Sequence, residues 1–349
     1  MRKYLSPTNL IGLIFSFLCT TSYSNISTNT LSLFERNLPR KFLISGISLE
    51  ASPNAIDSSC FANMKRINAK WVAIIPFAFS RPGQTGIQYN SQHQWWGERE
   101  EGIVTCIQLA HKQNMKVMLK PQLWIGGGLY TGHFKCETDS AWNEWENNYL
   151  KYILHNATLA QKTGAELFCI GTEMDNAVKL RPAFWSNLID SVKKIYKGDL
   201  TYAANWGCFK EFSSWEKLNY IGIDAYFPIS NASSPTVDEL VEGWQPHFKE
   251  IEEFTAQKNK QVVFTEYGYR SIDKCAHEPW LSNNVAPLNM QAQNNAYEAL
   301  YRQFVPRSWF AGGFLWKWHV NDRNAGGLLN SNYTPQNKPV ESTIKKWYN

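Results

Sequence analysis

Short runs of consecutive apolar residues recur along the chain, each bounded by polar or turn-forming positions. They fall at 42–49, 70–79, 116–124, 166–173, 200–206, 220–227, 261–267 and 312–318, with little alternation between apolar and polar positions. Runs of this kind predict strands buried on both faces, as in a parallel sheet covered by helices. Between most of them the apolar positions recur at helical spacing, which predicts helices over 98–113, 141–162, 182–196, 237–259 and 291–304. Pro182 after Arg181 suits the start of one helix, and Gly164 after Thr163 the end of another. The interval between the fifth and sixth strands has room for at most a turn of helix. Eight strands with intervening helices, and no glycine-rich phosphate loop, predict an α/β fold: a single (β/α)8 TIM barrel over 41–349.

The first 24 residues follow another pattern. Arg2 and Lys3 precede a short apolar run at 11–19, and Ser22 and Ser24 supply small residues for a cut after Ser24. This reads as an export signal, too short to span a bilayer. Residues 25–40 are rich in Ser, Asn and Thr and read as a linker. The expectation is a secreted, periplasmic or cell-surface protein with no integral membrane segment in its mature form. Lipid attachment at Cys19 competes with that cut, but Leu18 is not the small residue that usually precedes a lipidated Cys.

Composition changes the picture in one respect. The 349 residues include 15 Trp, 16 Tyr and 19 Phe, and aromatics make up 14% of the chain. Sugar rings present flat C–H faces that stack on such side chains, so β-linked oligo- or polysaccharide is the expected partner. A Trp-rich core explains the same count equally well. The formal charge of +5 comes from scattered rather than clustered basic residues, which argues against a nucleic-acid partner. The cysteines beyond Cys19 show no paired metal-type spacing, and the seven His form no ligand pattern. No metal or cofactor is expected, and a monomer is.

Two carboxylates carry the chemistry. Glu173 and Glu266 each close an apolar strand run, where a buried charge would be costly unless it faced the barrel mouth. They lie 93 residues apart, about three βα units at roughly 31 residues each, which places them on strands four and seven. Facing each other across the mouth, such a pair suits a retaining glycosidase. One, Glu173, would act as general acid/base, and the other, Glu266, as nucleophile. A plain alternative pairs each with a nearby cation, Glu266 with Arg270 for instance. A non-catalytic sugar-binding barrel would have no need of both.

Further strand ends place Lys120, Gln122 and Trp124 after the third strand, Asn205 and Trp206 after the fifth, and Asp224 and Tyr226 after the sixth. Trp316 stands at the eighth. These eight are candidate substrate-binding residues, Trp as sugar platforms and the polar groups for hydroxyls. Tyr226 is expected to orient the nucleophile by a hydrogen bond. His319 reads as a structural histidine.

The segments 171–174 (Gly-Thr-Glu-Met), 200–206 (Leu-Thr-Tyr-Ala-Ala-Asn-Trp), 220–228 (Tyr-Ile-Gly-Ile-Asp-Ala-Tyr-Phe-Pro) and 264–271 (Phe-Thr-Glu-Tyr-Gly-Tyr-Arg-Ser) resemble signature segments of glycoside hydrolase family 113. So do 312–318 (Gly-Gly-Phe-Leu-Trp-Lys-Trp) and 335–339 (Pro-Gln-Asn-Lys-Pro). The similarity runs from about Ile44 to the C-terminus. It implies a retaining-clan barrel with endo-β-1,4-mannanase activity, Glu173 matching the acid/base and Glu266 the nucleophile. Asn205, Trp206, Tyr226 and Trp316 match active-site lining. Where many relatives carry Pro-His and then Trp-Arg-Gly after the third strand, this chain reads Lys-Pro-Gln-Leu-Trp-Ile-Gly-Gly-Gly at 120–128. The departure alters a sugar-binding loop and leaves the carboxylate pair intact. Another β-glycan, or transglycosylation, stays open.

Overall fold

A computed structural model describes residues 44–283 and 285–349. The signal, the linker, Cys19 and the first two residues of the first strand run lie outside the described residues. Eight parallel strands close a barrel: β1 (Ile44–Leu49), β2 (Trp71–Ile74), β3 (Lys116–Leu119), β4 (Leu167–Thr172), β5 (Asp199–Asn205), β6 (Ile221–Asp224), β7 (Val262–Tyr267) and β8 (Phe310–Trp318). Each pairs with its chain neighbours, and β8 closes on β1 with Ile44 level with Gly312.

The predicted helices are present as α2 (Glu100–Lys112), α3 (Asp139–Thr163), α5 (Pro182–Ile195), α6 (Val237–Lys258) and α7 (Met290–Phe304). Three others were not predicted: α1 (Ser59–Met64), α4 (Asp175–Leu180) and α8 (Val340–Trp347). Each is eight residues or shorter, which is too brief to display a periodicity. Between β5 and β6 the chain makes only the 3-10 turns Phe209–Glu211 and Trp215–Lys217, as the short interval requires.

Two predicted strands are each divided. The 70–79 run stops at Ile74 and resumes as Phe77–Ser80, and the 116–124 run stops at Leu119 and resumes as Gln122–Ile125. Pro76 and Pro121 occupy the gaps. A proline has no N–H to give to the ladder, so the strands leave the barrel there. Beyond the break the two continuations pair with each other, Phe77 level with Gln122, and Phe79 also bridges to Gln88. Past this kink Trp124 lines the barrel mouth and Gln122 is buried against Glu266.

The barrel interior is filled by side chains that include Ile44, Ala73, Met118, Leu167, Ala203, Val263 and Phe314. A larger core lies between strands and helices. Five tryptophans, at 145, 185, 215, 244 and 318, are fully buried, whereas Trp95, Trp124 and Trp280 are exposed. The core reading accounts for the five buried rings, and the exposed three leave their faces open to solvent. Trp244 sits on α6 against Phe227, Phe264 and Phe304. Trp244→Ala is expected to cost about 3–5 kcal/mol of stability through the cavity it leaves. Chemical unfolding should show the midpoint falling at unchanged slope; a loss below about 1 kcal/mol would mean the outer core collapses around the gap.

Candidate active site

The carboxylates meet at the C-terminal mouth. Glu173 follows β4 in a left-handed backbone conformation, φ 48°, and its N–H donates to Ala203 O on β5 at 2.8 Å. A non-glycine residue in that region is strained by about 1–2 kcal/mol. The bend aims the carboxyl along the row of strand ends, where Asn205 Nδ2 donates to its Oε1 at 2.9 Å. Asn205 Oδ1 accepts from Gly207 N–H at 2.9 Å, which fixes the amide with its donor toward Glu173.

Glu266, on β7, is almost fully buried. Its Oε1 accepts from the Lys120 ammonium and from Gln122 Nε2 (2.7 Å), and its Oε2 accepts from Tyr226 OH at 2.9 Å. All three partners donate, so both carboxyl oxygens of Glu266 act as acceptors. The cation beside Glu266 is Lys120, whereas Arg270 Nε donates to Ser331 O at 3.2 Å. Lys120 is also 3.3 Å from Asp224 Oδ1 and 3.4 Å from Oδ2, and Thr265 OH donates to Asp224 Oδ1 at 2.7 Å.

The two glutamates differ in environment. Burial, followed by the negative charges of Asp224 and Glu266, pushes the Glu173 carboxyl well above the usual carboxylate range. The Asn205 hydrogen bond and Lys120 oppose this without cancelling it. A carboxyl whose surroundings favour its protonated form and a second one ringed by donors have opposite duties open to them, proton delivery and attack.

Around them lies a cleft of about 980 Å³. Of the residues singled out in the sequence, Glu173, Glu266, Trp124, Asn205, Trp206, Tyr226 and Trp316 line it. Lys120, Gln122 and Asp224 are placed differently from the expectation that they contact substrate. They are buried behind Glu266, because strand-end side chains pointing into the barrel pack beneath the mouth rather than on its rim. The 126–128 glycines also lie outside the lining. Gly127 and Gly128 have φ of 76° and 72°, so glycine there serves the turn.

The lining includes residues that sequence reasoning missed. Trp95 is 50% exposed and Trp124 52%, and Trp280, 40% exposed, stacks on Trp206 at 5.3 Å. Trp95 and Trp280 come from loops, where no periodic pattern marks them. Glu50 stands one residue beyond β1 and bonds Lys317 Nζ at 2.5 Å and His319 Nδ1. Burial acts to raise its pKa, but the His319 and Lys317 hydrogen bonds bring it down to about 2. Its position after an apolar strand run was the same signal that marked Glu173. His319 therefore has a structural partner and also faces the cleft. Among the described residues no group of three or more His, Cys, Asp or Glu is placed to hold a metal ion. The described cysteines, at 60, 106, 136, 169, 208 and 275, are free, and no described helix is long and apolar enough to cross a membrane.

The model of Glycoside Hydrolase Family 113 matches residues 51–338. A solved β-1,4-mannanase of that family superimposes with a TM-score of 0.78 at 24% identity, covering 88% of this chain and 99% of its own. A family 113 β-mannanase from Alicyclobacillus acidocaldarius, in complex with ManMIm, gives 0.79 at 23% identity, covering 88% and 97%. A β-glucuronidase from Ruminococcus gnavus gives 0.59 at 13% identity over 89% of this chain and 51% of its own. At these identities the likenesses establish the barrel. No curated protein matches the sequence.

Proposed function

The chain belongs to glycoside hydrolase family 113, and from that premise we propose that this glycoside hydrolase is an exported, retaining endo-β-1,4-mannanase. The observation that carries the mechanism is the contrast between the two glutamates at one mouth: Glu266 is ringed by three donors, and Glu173 is paired with a neutral amide where burial and nearby negative charge favour its protonated form. In the first step Glu266 attacks the anomeric carbon while Glu173 gives its proton to the departing glycosidic oxygen. In the second, Glu173 takes a proton from water, which attacks the glycosyl ester and restores Glu266. Tyr226 and Gln122 orient the nucleophile, and Asn205 orients the acid.

Two observations support an extended polymer. The cleft is larger than one sugar needs, and its exposed tryptophans come from separate segments, Trp95 and Trp280 from loops and Trp124 from a strand continuation, as suits stacking along a chain. Two family 113 structures similar to this one are described as β-mannanases, which makes mannan the leading polymer. The basic, apolar and small-residue order of the first 24 residues supports export.

Incubation with β-1,4-mannan is expected to release a ladder of short oligosaccharides. Early NMR spectra should show β configuration at the new reducing ends. Release of monosaccharide alone would point to exo cleavage. Action on another β-glycan but not on mannan would overturn the substrate and leave the two-glutamate chemistry standing.

A further inference from the structure

We propose that Asp224, which the cleft does not reach, is a positioning residue that keeps the proton on Glu173 from beneath the site, with Lys120 opposing it. This rests on Glu173 being the acid/base.

The placement follows from strand register. Asn205 on β5 is level with Asp224 on β6, and Asp224 is level with Glu266 on β7. The ladder slips between Ile223 and Asp224, which brings Asp224 up to the nucleophile's level. Glu173 joins the row through its Asn205 hydrogen bond. Three carboxyl groups therefore stand along four adjacent strand ends, and the one cation bonded within the row is Lys120. Its ammonium lies against Asp224 and Glu266. Glu173 receives instead a neutral amide. Three negative charges against one positive in a buried row is costly, and the carboxyl without a cation is the one that retains its proton.

Asp224 is 1% exposed and Lys120 fully buried, so neither is screened by solvent. After burial, the charge of Asp224 is the largest influence holding the Glu173 proton, ahead of Glu266, and Lys120 acts in the other direction. The other ionisable groups facing Glu173 are Tyr130, Tyr202 and Cys208. Burial pushes all three upward, the Cys208 thiol to about 12, so they add no charge near neutral pH. Asp175 stands behind Tyr130, accepting its hydroxyl at 2.9 Å, and the His133 ring packs edge-on against Tyr130. Against Asp224 itself stand Lys120, Glu266, the Thr265 hydroxyl and, near Lys120, the Cys169 thiol, which burial pushes to about 11.

The arrangement matters because the charge of Glu266 disappears when its ester forms. Burial, and after it the charge of Glu266, raise the Asp224 carboxyl itself to about 7, so loss of the Glu266 charge favours the ionised form of Asp224. Asp224 is therefore the part of the field that acts on Glu173 in both half-reactions, first keeping the acid protonated and then making the base stronger.

The test is a carbon-13 NMR titration of the full-length enzyme carrying glutamate labelled at the side-chain carboxyl. The Glu173 resonance is assigned by its loss in Glu173→Gln. Removing a negative charge in Asp224→Asn should lower the Glu173 midpoint by about one pH unit. Removing the positive charge in Lys120→Met should raise it. The basic limb of the kcat/KM profile should move in the same directions, which a merely structural role would not produce. Should Asp224→Asn fail to fold, the upward shift in Lys120→Met carries the test. A Glu173 midpoint unmoved in the folded variants overturns the proposal and leaves Glu173 as the acid. A wild-type Glu173 that titrates in the ordinary carboxylate range overturns both.

Discussion

Glu266→Gln is expected to lower turnover by a factor of about 10⁴ or more, because an amide cannot form the glycosyl ester. The geometry adds a second reason. Both oxygens of Glu266 accept hydrogen bonds, one from Lys120 and Gln122 and the other from Tyr226. An amide has one accepting atom, so its NH2 must face one of these sets of donors, and a buried donor then loses its acceptor. The variant should accordingly be less stable as well as inactive. Circular dichroism will separate a folded, inactive protein from an unfolded one. In the wild type, a 2-fluoro glycoside with a good leaving group should trap the ester, and peptide mass spectrometry should place the label on Glu266. A label on any other residue, or activity retained in the folded variant, would remove Glu266 from the nucleophile's position.

The two glutamates were legible because of the strands that carry them. A parallel barrel strand is apolar along nearly its whole length, so a carboxylate at its end has few structural uses. The same signal marked Lys120 and Asp224, and it stood at Glu50 too. What the pattern lacks is depth. Whether a strand-end charge faces the cleft or packs one layer beneath it is decided by register. The slip between Ile223 and Asp224, and the kinks at Pro76 and Pro121, are set by tertiary pairing and are not written in local periodicity. Sequence therefore marks Lys120, Gln122 and Asp224 as strand-end groups without giving their depth, and the structure places them beside Glu266 beneath the cleft lining. The left-handed turn at Glu173 has no local sign either, since glutamate does not favour it. Trp95 and Trp280 sit in loops whose course only the folded chain reveals. Short helices such as α4, six residues long, escape for a simpler reason. They contain less than two turns, and no face can be read from them.

Glu173→Ala should separate substrates by leaving group. A sugar leaving group departs as an alkoxide unless it is protonated, so loss of the acid should cut its turnover by about 10²–10⁴. An activated aryl glycoside leaves as a stable phenolate and needs no proton. Its first step should be nearly unchanged in the variant, but the second should stall, because no base remains to deprotonate water. The expected result is a burst of phenol followed by a slow steady state. Azide needs no deprotonation, so adding it should speed the steady state and yield a β-glycosyl azide. The pH profile supplies an independent sign. Glu173 must be protonated to act as acid, and its carboxyl is raised well above the ordinary range. Wild-type activity on sugar leaving groups should therefore persist below that raised pKa and fall as pH rises through it. In the variant this basic limb should vanish for the aryl substrate's first step. Equal loss on both substrate types, with azide without effect and the basic limb still present, would assign the proton transfer to another group.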